Sequence, residues 1–402
     1  MTLANTEPAS RETGALPWRS VALLSMAAFA SALSIRAVDP LLPAIGREFG
    51  VSAGAAAQVV TGFTVAYGVM QLVGGLLGDR IGKYRLASLA TLLSGAVTAL
   101  SVLAWSLDSL MLARLLAGAV AAAIMPMGLA WIGDSIPDDQ RQVVLARYVP
   151  GQILGVIFGQ TVGGVLSEVM GWRAVFATMA LIQIAVGALM IRELTSSRAP
   201  GARERRGQGG LGQSLSRIGG LLRRPAVRRV LLAVFIEGFA VFGALAFAAS
   251  HLQLNLQLGA GSAGLLMAGY GLGGLVYTLL SGRLMRWPGA VATAMAGAML
   301  QAAALAWFGM AQNLVVVAAL ICAAGLGFYM VHNRLQFSAT RMAPDSRGAA
   351  LAMFASAMFL GQTAGITLGA RIFDHLGAGA LFLSAGLILA AMMAWFTLSD
   401  QG

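Results

Sequence analysis

Runs of about twenty apolar residues follow one another almost from end to end of this chain, parted by short loops, and each is long enough to cross a hydrocarbon layer as a helix. Lipid offers no partner to a backbone N–H or C=O, so spanning segments must be helices or a closed barrel. Barrel strands alternate apolar and polar residues, and these runs do not. Only 11% of the 402 residues are charged and 58% are hydrophobic, which a soluble domain does not match. The fold class that follows is an all-α membrane protein.

Twelve spans are predicted, at 19–44, 55–78, 86–106, 109–133, 144–167 and 173–192, then at 229–254, 262–283, 289–310, 313–336, 348–371 and 378–398. They form an N-terminal bundle over 19–192 and a C-terminal bundle over 229–398, with short tails at 1–18 and 399–402. Between them, 193–228 is rich in Arg, Gly and Ser and reads as a linker with at most a short surface helix. Arg11 and Arg19 ahead of an apolar stretch imitate a signal peptide, but that stretch continues to Pro43, so a retained first span is expected. Basic residues crowd the loops at 79–85, 134–147, 193–228, 283–286 and 341–347 and are missing near 107, 256 and 312. The positive-inside rule then places both termini and the linker in the cytoplasm. The net charge of +11 is accounted for by these loops, so no nucleic-acid partner is implied. The lone Cys322 excludes an internal disulfide, and no metal-ligand cluster, nucleophile arrangement or phosphate-binding loop occurs; no cofactor, no metal and no enzymatic activity are expected.

The halves repeat. "AYGVMQLVGGLLGDR" aligns with "GYGLGGLVYTLLSGR" 203 residues later, "IPDDQR" with "APDSR" at 207, and Gly155, Gly159 and Gly163 with Gly361, Gly365 and Gly369 at 206. Internal repeats in a polytopic helical protein point to a transporter with its site between the repeats.

With these motifs the chain resembles the major facilitator superfamily, and within it the drug:proton antiporters of twelve helices. The loop after the second span, Gly75-Leu-Leu-Gly78-Asp79-Arg80-Ile-Gly82-Lys83-Tyr-Arg85, is similar to the family's G-x-L-a-D-R-x-G-R/K-x-R/K motif. Gly282 replaces the aspartate in the second copy. Arg114-Leu-Leu-Ala-Gly118 resembles the R-x-x-Q-G element, and Gly155-x-x-x-Gly159-Gln160-x-x-Gly163-Gly164 resembles the antiporter signature with Gln160 in place of its proline. The resemblance implies two six-helix bundles that alternate access to a central cavity. It also implies a conformational latch in which Asp79 meets the start of the eleventh helix near Arg347 and Gly348 while Arg80 and Arg85 pair with acids. The ladders Gly155, Gly159, Gly163, Gly164 and Gly361, Gly365, Gly369 are small-xxx-small faces. Each is expected to pack against a helix of the other half.

Ionisable residues within the spans are costly and generally pair or line a cavity. Arg36 and Asp39 share a face and can neutralise each other, or Asp39 can act as a coupling carboxylate. Glu237 lies near mid-membrane without a basic neighbour three or four positions away, so it must find a partner on another helix or carry a proton. His332 is of the residue type that titrates near neutrality and falls opposite Met125 in the repeat. Arg114, matching the family element associated with proton transfer, can favour the ionised form of a carboxylate it faces in one conformation only. Glu237, Asp39, Arg114 and His332 are thus the proton-coupling candidates; Arg36, Asn333, Arg334, Phe239 and Tyr329 are the substrate-cavity candidates. The expected partners are a small-molecule substrate, protons and membrane lipid, with the chain working as a monomer in a bacterial cytoplasmic membrane. Two functions remain open: proton-coupled efflux of small amphipathic or drug-like compounds, and a proton-coupled symporter or facilitator importing a small metabolite, anions included, toward which Gln160 and Arg334 lean. A receptor or scaffold has no need of membrane-buried acids.

Overall fold

A computed structural model describes residues 16–196, 211–287, 289–343 and 346–399. It is helical throughout, with no strand among those residues. The first half comprises α1 (Trp18–Phe49), α2 (Gln58–Ile81), α3 (Lys83–Leu103), α4 (Leu107–Ser135), α5 (Asp138–Met170) and α6 (Trp172–Leu194). The second comprises α7 (Pro225–Asn255), α8 (Ala260–Arg286), α9 (Ala290–Phe308) and α10 (Leu314–Met342), then a segment Arg347–Ser399. At about 1.5 Å per residue that last segment is far too long for a single crossing of roughly 30 Å. Gly377, with φ 85° and ψ 169°, breaks it into α11 (347–376) and α12 (378–399), which completes the twelve spans. Within 193–228 lies the connecting helix Leu211–Leu222. The expected linker's residues 197–210, and most of both expected tails, lie outside the described residues.

Two spans are interrupted where polar residues sit. In α1 the helix stops at Arg36, passes through a 3₁₀ turn at Asp39–Leu41 and resumes at Leu42–Phe49. Pro40 and Pro43 explain the break, because neither can donate to the preceding turn. In α7, Glu237 is followed by a wide π-helical turn over Gly238–Phe242.

The halves turn their corners alike. Gly82 (φ 98°) corresponds to Gly289 (φ 100°), and Gly171 (φ 82°) to Gly377 (φ 85°), at spacings of 207 and 206. Gly50 (φ 67°) corresponds to Gln257, the one non-glycine residue with positive φ (55°) among the described residues. An L side chain in that region is strained, so the matching angle reflects the repeated turn rather than local preference.

Within each half α1 packs on α5 and α7 on α11; between halves α2 meets α11 and α5 meets α8. This corrects the expected partners of the glycine ladders. Gly155, Gly159 and Gly163 lie against the backbone of Phe29, Leu33 and Ala37 in α1, and Gly361 and Gly365 against Phe235 and Phe239 in α7. Gly369 meets Gly243 and Phe247 of α7. Only Gly164 faces the other half, at Ala260 and Gly264 of α8. A side chain at these positions would strike backbone, so the ladders seat one helix on its neighbour inside a bundle; the interface between halves uses a different face.

The halves touch at the end that carries the α1–α2, α5–α6, α7–α8 and α11–α12 turns, where Gln253 donates to the Pro40 carbonyl at 2.8 Å. At the connector end, Gly74, Gly75, Gly282 and Gly348 have no neighbouring helix or side chain within 4 Å of a Cβ position.

Candidate central site between the halves

The interruption of α1 places two charges in the protein interior. Arg36 Nη1 lies 3.5 Å from Asp39 Oδ2, and both side chains are buried, not at an interface with water. Gln160 Nε2, from the α5 ladder, donates to the same Asp39 oxygen at 3.1 Å. Gln160 is therefore a partner of the acid, a role its place in an otherwise small-residue ladder did not reveal. The Asp39 Oδ1 atom has no hydrogen-bond partner among the described residues.

Arg114 is fully buried in α4 and forms no ion pair among the described residues. Its Nη2 donates to the Ser34 carbonyl at 3.0 Å, and its guanidinium lies 4.1 Å from the Phe63 ring centre. Such a cation–π contact is worth about 2 kcal/mol when desolvated. Ser34 also accepts from Gln183 Nε2 at 2.6 Å, and Thr98 donates to Gln183 Oε1 at 3.3 Å. The arginine thus ends a polar thread running through α3, α6, α1 and α4. Gln183, Ser34 and Thr98 escaped the sequence reading because lone amides and hydroxyls are common in membrane helices.

The second half supplies a different pair. Glu237, fully buried beside the π-helical turn, has Oε2 at 2.8 Å from His332 Nδ1, a distance at which a protonated Nδ1 donates to the carboxylate. The two candidates that the sequence presented separately, 95 residues apart, thus form one group. Glu237 Oε1 has no hydrogen-bond partner among the described residues. The His332 ring stacks on Phe328 (4.9 Å, 20°) and tilts against Phe354 at 5.5 Å.

The two groups are joined by aromatic rings. Arg36 sits 4.2 Å over Phe242 in the π-helical turn; Phe242 meets Phe328 edge-on at 5.2 Å; Phe328 stacks on His332. Tyr270 of α8 and Tyr329 also touch Phe328, at 5.8 and 5.3 Å. Asp39, Arg36, Phe242, Phe328, His332 and Glu237 therefore form one continuous train of contacts from α1 of one half to α7 and α10 of the other.

Three sequence candidates lie elsewhere or play other parts. Arg334 lines a cavity of about 270 Å³ near the connector end, with Arg229, Phe337 and Arg341, and does not join the buried group. Asn333 donates to the Tyr329 carbonyl at 2.9 Å. Phe239 forms part of the backbone surface on which Gly365 rests. In the loop after α2, Asp79 lies 3.8 Å from Lys83 Nζ, and Lys83 also pairs with Asp134. Among the described residues Asp79 has no hydrogen bond to Gly348, and Arg80 and Arg85 form no ion pair. The side chain of Arg347 lies outside the described residues.

The buried polar residues do not follow the repeat. The positions 206 or 207 away from Arg114, Glu237 and His332 hold Ile321, Ser31 and Met125. The scaffold is duplicated; the chemistry is not.

Comparison with known proteins agrees with this architecture. A family model described as the Major Facilitator Superfamily matches residues 24–345. The chain is 25% identical over 365 residues to a probable sugar efflux transporter of Pasteurella multocida, covering 88% of this chain and 87% of that one. It is 30% identical over 187 residues to the lincomycin resistance protein of Streptomyces lincolnensis, covering 46% and 39%. An uncharacterized MFS-type transporter of Bacillus subtilis, YybF, is 28% identical over 206 residues, so the match spans 51% of this chain and 49% of that relative. Several of these relatives are thus matched over half their length or less. Among solved structures, a bacterial homolog of the human lysosomal transporter Spinster superposes with a TM-score of 0.76 at 17% identity, covering 96% of this chain and 98% of that one. The human organic anion transporter MFSD10 gives 0.68 at 16%, covering 94% and 99%.

Proposed function

This chain belongs to the major facilitator superfamily, and on that premise we propose that it exports small amphipathic or drug-like compounds by alternating access, driven by protons moving the other way. It is an integral membrane transporter of small molecules, not an enzyme. The observation that carries the finer reading is the Glu237–His332 pair, a buried acid and imidazole in contact at the turn where α7 widens.

A carboxylate that binds a proton loses its charge-assisted bond to the imidazole, and the pair weakens. Phe328 lies between that pair and the ring beneath Arg36. A change at Glu237 can thus be felt on the other half through a short run of packed rings. A proton and an apolar compound then compete for one region, and coupling follows from their differing affinity for the two states. The rings of Phe242, Phe328, Tyr270 and Tyr329 give an apolar solute a flat surface. The name of one relative, a probable sugar efflux transporter, supports export. The two residues that leaned toward import of an anion have other places: Gln160 donates to Asp39, and Arg334 lines the cavity near the connector end. The reading includes a bacterial cytoplasmic membrane, both termini inside, and a single chain as the working unit.

The test uses inside-out vesicles with an acidic lumen and a panel of fluorescent dyes and antibiotics. Accumulation abolished by an uncoupler is the expected result. Accumulation only of anionic metabolites, in right-side-out vesicles, overturns the proposal.

A further inference from the structure

Two carboxylates hold the touching end of the molecule in the same manner. At the end of α11, Asp374 accepts from the Ser52 hydroxyl at 2.6 Å and from the Gly54 amide at 3.2 Å. Ser52 caps the helical turn Ala53–Ala56 that leads into α2, so the acid faces the start of a helix in the other half. At the end of α5, Glu168 accepts from the Gly261 amide at 2.7 Å, in the first turn of α8, and again the bond crosses from one half to the other.

The two contacts are copies. Glu168 and Asp374 are 206 residues apart and Gly54 and Gly261 are 207 apart, the spacing of the internal repeat. Glycine lets the acids come close at the donor end: a Cβ on Gly54 would meet the Asp374 carboxylate, and one on Gly261 would lie 2.9 Å from Glu168 Oε2, so either acid would have to shift its side chain. Unlike the central charges, these acids keep to the duplicated scaffold, as parts of a moving joint should.

Both acids are exposed, so the chemistry favours a device that is modest in strength when shut and inexpensive when open. A carboxylate on a helix-start N–H makes a charge-assisted bond, aided by the positive end of the helix dipole. When the halves part, water takes over both acid and amide. Asp374 is exposed, and beside it lies a cavity of about 520 Å³, lined also by Arg47, Leu254 and Asn255.

We propose that Glu168 and Asp374 are a paired gate latch that biases the transporter toward the state closed at this end, each acid releasing a helix start of the opposite half when that end opens. Because each half moves as a packed bundle, both bonds break in the same motion, and their contributions add. The proposal rests on the alternating-access reading above.

The experiment measures the distance between spin labels at Val51→Cys and Leu254→Cys, on opposite halves at this end, in the full chain with Cys322→Ser. E168A or D374A should each raise the ratio of the long-distance to the short-distance population about threefold, and E168A/D374A about tenfold. D374N, whose carbonyl still accepts, should shift it less than D374A, which separates lost bonding from a misfolded variant. Unchanged populations in the single and double variants overturn the latch while leaving two-state motion intact. A single population in native and variant proteins alike overturns both readings.

Discussion

In the proposed coupling Glu237 supplies the ionisable carboxyl and His332, 2.8 Å away, its partner imidazole. E237Q retains a hydrogen-bonding side chain against His332 but no ionisable group. Proton-driven dye accumulation should fall at least tenfold while substrate exchange at equal pH stays within about twofold; loss of both would make Glu237 a structural residue. Asp39 and Arg36 behave as a buried pair, so removing one partner leaves an uncompensated charge. D39N should lower the thermal midpoint strongly, by an amount equivalent to about 3–5 kcal/mol, and R36Q/D39N should recover most of it. Comparing the melting curves of the two variants decides the point. This pair was legible in the sequence, since a spacing of three residues brings side chains together on a helix. The Glu237–His332 contact was not, because it depends on how α7 and α10 approach each other across 95 residues of chain. Gln160 was visible only as a departure from a motif, and the structure supplies its reason as the donor to Asp39.

Glycine contributes to the helices in two separable ways. Gly361 lies against the Phe235 backbone, where a methyl group cannot be accommodated without moving α7. G361A should therefore destabilise by about 1–3 kcal/mol as overpacking, seen as a lower melting temperature in detergent. G282A, facing open space at the connector end, should melt within a degree of the native protein. Equal shifts would remove the distinction. The ladders were plain from their four-residue period, yet their partners were not: period identifies a face of a helix but says nothing of which neighbour covers it. The breaks in α1 and α7 divide the same way. Pro40 announces the first, whereas the wide turn after Glu237 has no proline to mark it.

At the scale of the whole molecule, hydropathy and the repeat carried most of the architecture, including the division of the last 53-residue segment at a glycine. Helices must satisfy their backbone in lipid, which leaves little freedom in how such a chain folds. What hydropathy could not convey is which end is shut. A chain oriented as proposed, with Leu222→Cys or Val51→Cys in a C322S background, should react with an impermeant maleimide from the cytoplasmic side at 222 and from the opposite side at 51. Labelling of 222 from outside and 51 from the cytoplasm would invert the scheme, and labelling of both from one side would break it. The mismatch between a copied framework and uncopied buried charges bears on how such proteins diversify. Joints, corners and seats are held in duplicate, so drift there is penalised twice, in folding and in motion. Arg114, Glu237 and His332 have apolar or hydroxyl counterparts, so a change at any one of them leaves every duplicated joint, corner and seat in place.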